Sequence, residues 1–105
     1  MKISEKTMAL ASRMDAKLSE RFGRATTPMR DAIESLQNRG SVEIGWRESC
    51  GKTDPTMHEK RAWVSVLKAL REDGNEITEE RQKHGNAYAT SKGGFWASIV
   101  YRCAP

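Results

Sequence analysis

Metal-binding and catalytic residue types are scarce in this sequence. It has two cysteines, Cys50 and Cys103, and two histidines, His58 and His84, with no close-spaced pair among them. Structural zinc sites are built from such pairs, so neither a metal nor any other cofactor is expected. The thiols suit a reducing compartment as ordinary buried cysteines. Cys50 has Gly51 and Lys52 beside it, neighbours able to lower a thiol pKa, but an inert cysteine is the commoner outcome. Neither histidine has a nucleophile or an orienting acid at a telling spacing, so the chain is not expected to be an enzyme. Gly51-Lys52-Thr53 resembles only the end of a phosphate loop: Trp46 stands where the earlier glycine belongs.

Long apolar runs are also missing. Nothing approaches the roughly 18 residues that a membrane helix needs. Met1 to Lys6 lacks the apolar stretch of a secretory signal, so the expected location is cytoplasmic. What remains, 37% hydrophobic and 30% charged in 105 residues, suits a single globular unit rather than a disordered chain, and the helix and strand patterns that follow make it α+β.

The formal charge of +4 is unevenly spread. Residues 1–24 hold six basic and three acidic side chains, whereas residues 25–54 hold four and five. A mildly basic protein is compatible with nucleic acid without requiring it.

Ser4 is placed to cap a first helix over 4–22, in which Leu10, Met14, Leu18 and Phe22 recur every fourth residue and Gly23 ends the run. Arg13, Lys17 and Arg21 lie off that stripe. Residues 1–24 are thus an amphipathic helix that either packs on the rest of the protein or forms a homodimer seam, and residues 25–105 are the main domain. Thr27-Pro28 starts a second helix, with proline at its first position; Met29, Ile33 and Leu36 line it and Gly40 ends it. Ser41 to Ile44 alternates as a short strand.

The clearest helix runs over 57–73, with Trp63, Leu67 and Leu70 on one face and Val64 and Val66 at its margins. Gly74 closes it. A hairpin over 75–103 follows, its closing strand setting Phe95, Ala97, Ile99, Tyr101 and Cys103 on one face and Trp96, Ser98, Val100 and Arg102 on the other. The tryptophans Trp46, Trp63 and Trp96 are expected mainly in the core.

The segment Leu67-x-x-Leu70-Arg71-x-x-Gly74-x-x-Ile77, running on to Tyr101-Arg102, resembles the recognition helix and wing of small winged helix-turn-helix proteins of phage and bacterial genomes. The resemblance covers about residues 27–103. It implies a three-helix core with a C-terminal β-hairpin wing, the helix over 4–22 being additional, and a supporting helix and turn within the apolar-poor stretch 45–56. It also implies a DNA-binding regulatory protein of phage or mobile-element type. Double-stranded DNA would be read by His58, Lys60, Arg61, Ser65 and Lys68 of the long helix and by Lys83, His84 and Lys92 of the wing, with Arg30 and Arg39 adding backbone contacts. Against this stand Glu59, beside the basic pair, and Glu76, Glu79 and Glu80 in the first wing strand, which repel phosphates unless turned away. The rival reading is a winged-helix protein-interaction module that binds and modulates a host or phage protein through the hairpin or an exposed tryptophan.

Gly74 provides a direct test of the helix-to-wing turn. Gly74→Val is expected to cost more than about 1 kcal/mol in denaturant unfolding, through strain at a positive φ; unchanged stability would remove the turn from this scheme.

Overall fold

A computed structural model describes residues 1–23, 28–48, 55–82 and 95–105, with backbone alone at 48, 95 and 96. Cys50, Lys83, His84 and Lys92 lie outside the described residues, as do the side chain of Trp96 and the cap expected at Thr27.

The first helix, α1 (Glu5–Phe22), begins where the Ser4 hydroxyl accepts the Thr7 N–H at 3.1 Å. It ends where the Gly23 N–H donates to the Ser19 carbonyl. Ala11 and Leu18 of its stripe are buried, and Leu10, Met14 and Phe22 pack beside them against the common core. This helix is therefore one of the three helices among the described residues, which with the sheet form an α+β unit around one core.

Helix α2 (Met29–Arg39) has Pro28 at its N-cap rather than inside the first turn. Proline has no side chain to cap with, and the work is done from α1. The Asp15 carboxylate accepts the Met29 N–H at 2.6 Å and the Arg30 N–H at 3.2 Å. A carboxylate there also meets the positive end of the helix dipole.

Gly40, at φ 74°, turns the chain into β1 (Ser41–Glu48). This strand is twice as long as the Ser41–Ile44 expected. Trp46 continues the inward alternation of Ile44, and both are buried. Residues 45–48, assigned to the supporting helix and turn, are thus strand, and only 49–54 separate β1 from the next helix.

That helix, α3 (Pro55–Glu72), buries Ala62, Trp63, Val66, Leu67 and Leu70. Val66 lies at the centre of the packed face, while Val64 is 50% exposed. The helix exits through two reverse bonds, Gly74 N–H to the Arg71 carbonyl and Asn75 N–H to the Leu70 carbonyl, with Gly74 at φ 101°. This is a Schellman ending, and its left-handed residue favours glycine.

Strands β2 (Ile77–Gln82) and β3 (Phe95–Cys103) complete an antiparallel sheet of order β1-β3-β2. Tyr101 of β3 lies between Val42 and Glu79, and Ile99 between Ile44 and Arg81. The inward face carries Ile44, Ile77 and Tyr101 into one core with all three helices, where Tyr101 meets the Trp63 ring edge-on at 5.6 Å. On the other face the Ser98 hydroxyl donates to Glu43 and Arg102 pairs with Glu80, each at 2.8 Å.

The ends of α1 and α3 are tied together. Asp73 accepts the Ser4 N–H at 3.1 Å and the Thr7 hydroxyl at 2.6 Å. Asn75 accepts the Lys2 N–H and donates to the Lys2 and Leu70 carbonyls. The bond from the Thr7 hydroxyl, and then that from the Ser4 backbone, hold the Asp73 carboxyl below its ordinary value.

Two outcomes follow from these links. Asp15→Ala removes both partners of the α2 N-terminus and is expected to cost about 1–2 kcal/mol in urea unfolding; an unmoved midpoint contradicts the cap. For Asp73, a pKa lowered by folding means a contribution that is complete above the unfolded value, 3.8, and lost as pH falls through the folded one. Melting temperature should therefore drop on acidification, and Asp73→Asn should flatten that decline at the cost of lower stability near neutrality. An identical acid slope in the two proteins would dismiss the linkage.

Candidate nucleic-acid interface

With 3.6 residues per turn, burying Glu59, Ala62, Trp63, Val66 and Leu70 turns Arg61, Val64, Ser65, Lys68 and Glu72 outward, and all five are exposed. The outward face of α3 is flanked by α1 on one side and by β2 on the other.

Against that frame the expected contact residues separate. Arg61 and Lys68 lie on the exposed face itself. Ser65 is beside them, its hydroxyl donating weakly to the Arg61 carbonyl at 3.5 Å. His58 is half-buried on the α1 side, its ring 5.2 Å from that of Phe22. Lys60 falls on the β2 side, its ammonium 4.6 Å above the Trp46 ring, a distance at which a cation is attracted to the indole face. The five residues thus span the full width of the helix rather than one stripe. Arg30 and Arg39 sit apart in acidic surroundings, Arg39 sharing a shallow cleft with Asp31 and Glu34.

The carboxylates that weigh against phosphate contact are mostly committed elsewhere. Glu59 is buried and engaged within the fold. Glu79 pairs with Arg71 at 3.1 Å, and Arg71 also donates to the Ile77 carbonyl at 2.8 Å. Glu80 points to the opposite face of the sheet, paired with Arg102. Glu72 and Glu76 remain exposed, beyond the C-terminal end of the basic face.

Two clefts border α3. The one toward α1, about 280 Å³, brings Lys17 and Arg21 beside His58 and Arg61 with no carboxylate in its lining. Farther along the same seam Arg13 and Lys68 line a second cleft with Lys6, Glu72 and Asp73. The cleft toward β2 is larger, about 510 Å³, and mixed: Lys60, Lys68 and Arg71 face Glu72 and Glu79 across a floor that includes Leu67 and Tyr101. Burial, and next the charge of Glu79, push the Tyr101 hydroxyl up from its ordinary pKa.

The α1 residues were visible in the sequence only as the polar side of an amphipathic helix. Their four-residue spacing within the most basic quarter of the chain was the available signal, but nothing local says that they adjoin Arg61. Trp46 and Trp63 are both in the core, so neither serves as an exposed anchor.

No family model, curated protein or solved structure matches the chain. Among the described residues no helix is long and apolar enough to cross a membrane, and no three His, Cys, Asp or Glu side chains cluster as metal ligands would.

Proposed function

We propose that this protein is a small regulator that binds duplex DNA through the outward face of α3, assisted by the hairpin of β2 and β3. The observation that carries the reading is that Arg61 and Lys68 stand exposed on α3 while Glu59 is buried and Glu79 and Glu80 are paired with arginines at the surface. Arginine and lysine on a helix presented in this way are suited to phosphates and to the acceptor edge of guanine.

The fold supports a winged-helix interpretation. The run α2-β1-α3-β2-β3, with β3 central in the sheet, shares its long helix, following hairpin and central closing strand with the winged-helix scheme. One part of that architecture differs among the described residues: 45–48 are strand, and α1 packs along α3. A homodimer through α1 would need its outer surface, because the apolar stripe is packed inside.

A second reading rests on Val64. It stands exposed on the rim of the cleft between α3 and β2, the arrangement of a module that grips a protein partner.

One titration separates the two. Binding to random-sequence duplex should weaken steeply with salt, since log K falls by about 0.9 per phosphate neutralised for each unit of log salt. Arg61→Ala with Lys68→Ala should reduce affinity and lower that slope by roughly 1–2, whereas Val64→Glu should abolish capture of a protein partner if the second reading holds. Absence of any duplex binding at low salt, together with one protein partner lost on Val64→Glu, would replace the regulator with the interaction module.

A further inference from the structure

We infer that Arg13, Lys17 and Arg21 of α1 form a phosphate-contacting rail that flanks the α3 face, an inference that rests on the DNA-binding reading and extends it to a helix outside the expected contact set. The three residues recur every fourth position and all are exposed, so their Cα atoms rise about 6 Å per step and about 12 Å in all along one side of α1. That side faces the same way as the α3 surface. Lys17 and Arg21 border one cleft with Arg61, and Arg13 borders the next with Lys68. The guanidinium of Arg21 lies 5.2 Å over the Phe22 ring, and that ring is itself packed on His58.

The spacing of the helices decides what the rail would meet. Packed helices lie about 8–10 Å apart, and the major groove of B-DNA is about 12 Å wide. A helix centred in the groove therefore has its neighbour's axis beyond the half-width of about 6 Å, over the sugar-phosphate strand. Placing α3 in the groove puts α1 along that strand, with three cations toward it. The acidic residues of α1 do not cancel them: Asp15 is committed to the N-terminus of α2, and neither Glu5 nor Glu20 lines either cleft. Asp73 and Glu72 close the opposite end of the seam, near Lys6. Lys17 and Arg21 accordingly lie beside the N-terminal half of α3, the part of a recognition helix that commonly approaches bases, and Arg13 extends the rail toward Lys68 in the C-terminal half.

The test uses the full chain, a random-sequence duplex and anisotropy titrations across a salt series. The salt slope counts neutralised phosphates, so R13Q/K17Q/R21Q should lower it by roughly 2–3 while the melting temperature stays near that of the parent. R13K/R21K, which retains the charges, should keep the slope. Because backbone contacts position the protein without reading sequence, any preference between two duplexes should survive the glutamine changes. A parent protein that binds no duplex at low salt defeats the DNA-binding reading itself. A parent that binds, loses slope on R61A/K68A and keeps it on R13Q/K17Q/R21Q defeats the rail alone.

Discussion

The exposed chemistry of this protein depends on α1 lying antiparallel along α3, and that alignment is held at both ends. At one end Asp73, just past α3, accepts from the Ser4 backbone and the Thr7 side chain. At the other, the ring of Phe22 sits on His58. Between them Ala11 and Leu18 share a core with Trp63 and Val66. Apolar burial supplies the main driving force, but it is non-directional. The directional contacts at the ends, hydrogen bonds at one and a ring contact at the other, choose one register, and with it which side chains of the two helices become neighbours.

The same economy governs the helix termini. Asp15 reaches from α1 to the N-terminus of α2, and Asp73 reaches from the end of α3 to that of α1. Each carboxylate satisfies backbone N–H groups that the receiving helix leaves without internal partners and sits at the favourable end of its dipole. Each also links two elements distant in sequence, so helix capping and tertiary assembly are one event here.

This explains which parts of the structure were legible in the sequence. The helices α1 and α3 and the strand β3 announce themselves because their periodicity is local, and Gly40 and Gly74 stop helices where expected. The extension of β1 was obscured by Gly45, which interrupts the apolar pattern before the buried Trp46. Val64 and Val66 look equally marginal in the sequence, since a helical stripe does not reveal which edge a second element covers. The caps from Asp15 and Asp73 were invisible, being long-range bonds with no sequence signature. The candidate interface was legible in kind but not in arrangement. Arg61 and Lys68 could be placed on an exposed face, whereas the adjacency of Arg21 to Arg61, and the turning of Lys60 toward Trp46, arise only from packing.

The distribution of acids then bears on how a chain of modest net charge presents a basic face. Of the fourteen carboxylates in the sequence, Asp15 and Asp73 are balanced by helix N-termini, Glu79 and Glu80 by Arg71 and Arg102, Glu43 is held by Ser98, and Glu59 is inside. The cations along α1 and on the outward face of α3 have no comparable commitments to carboxylates among the described contacts; Arg21 leans on an aromatic ring instead. Six of the acids are thus engaged within the chain, while Glu5, Glu20, Asp31, Glu34, Glu72 and Glu76 share the surface with the bases. A ligand approaching within a Debye length, about 8–10 Å at ordinary ionic strength, meets the local arrangement rather than the sum of +4. At one end of the α1–α3 seam that arrangement is basic, because Lys17, Arg21, His58 and Arg61 line a cleft without a carboxylate, whereas Glu72 and Asp73 line its other end.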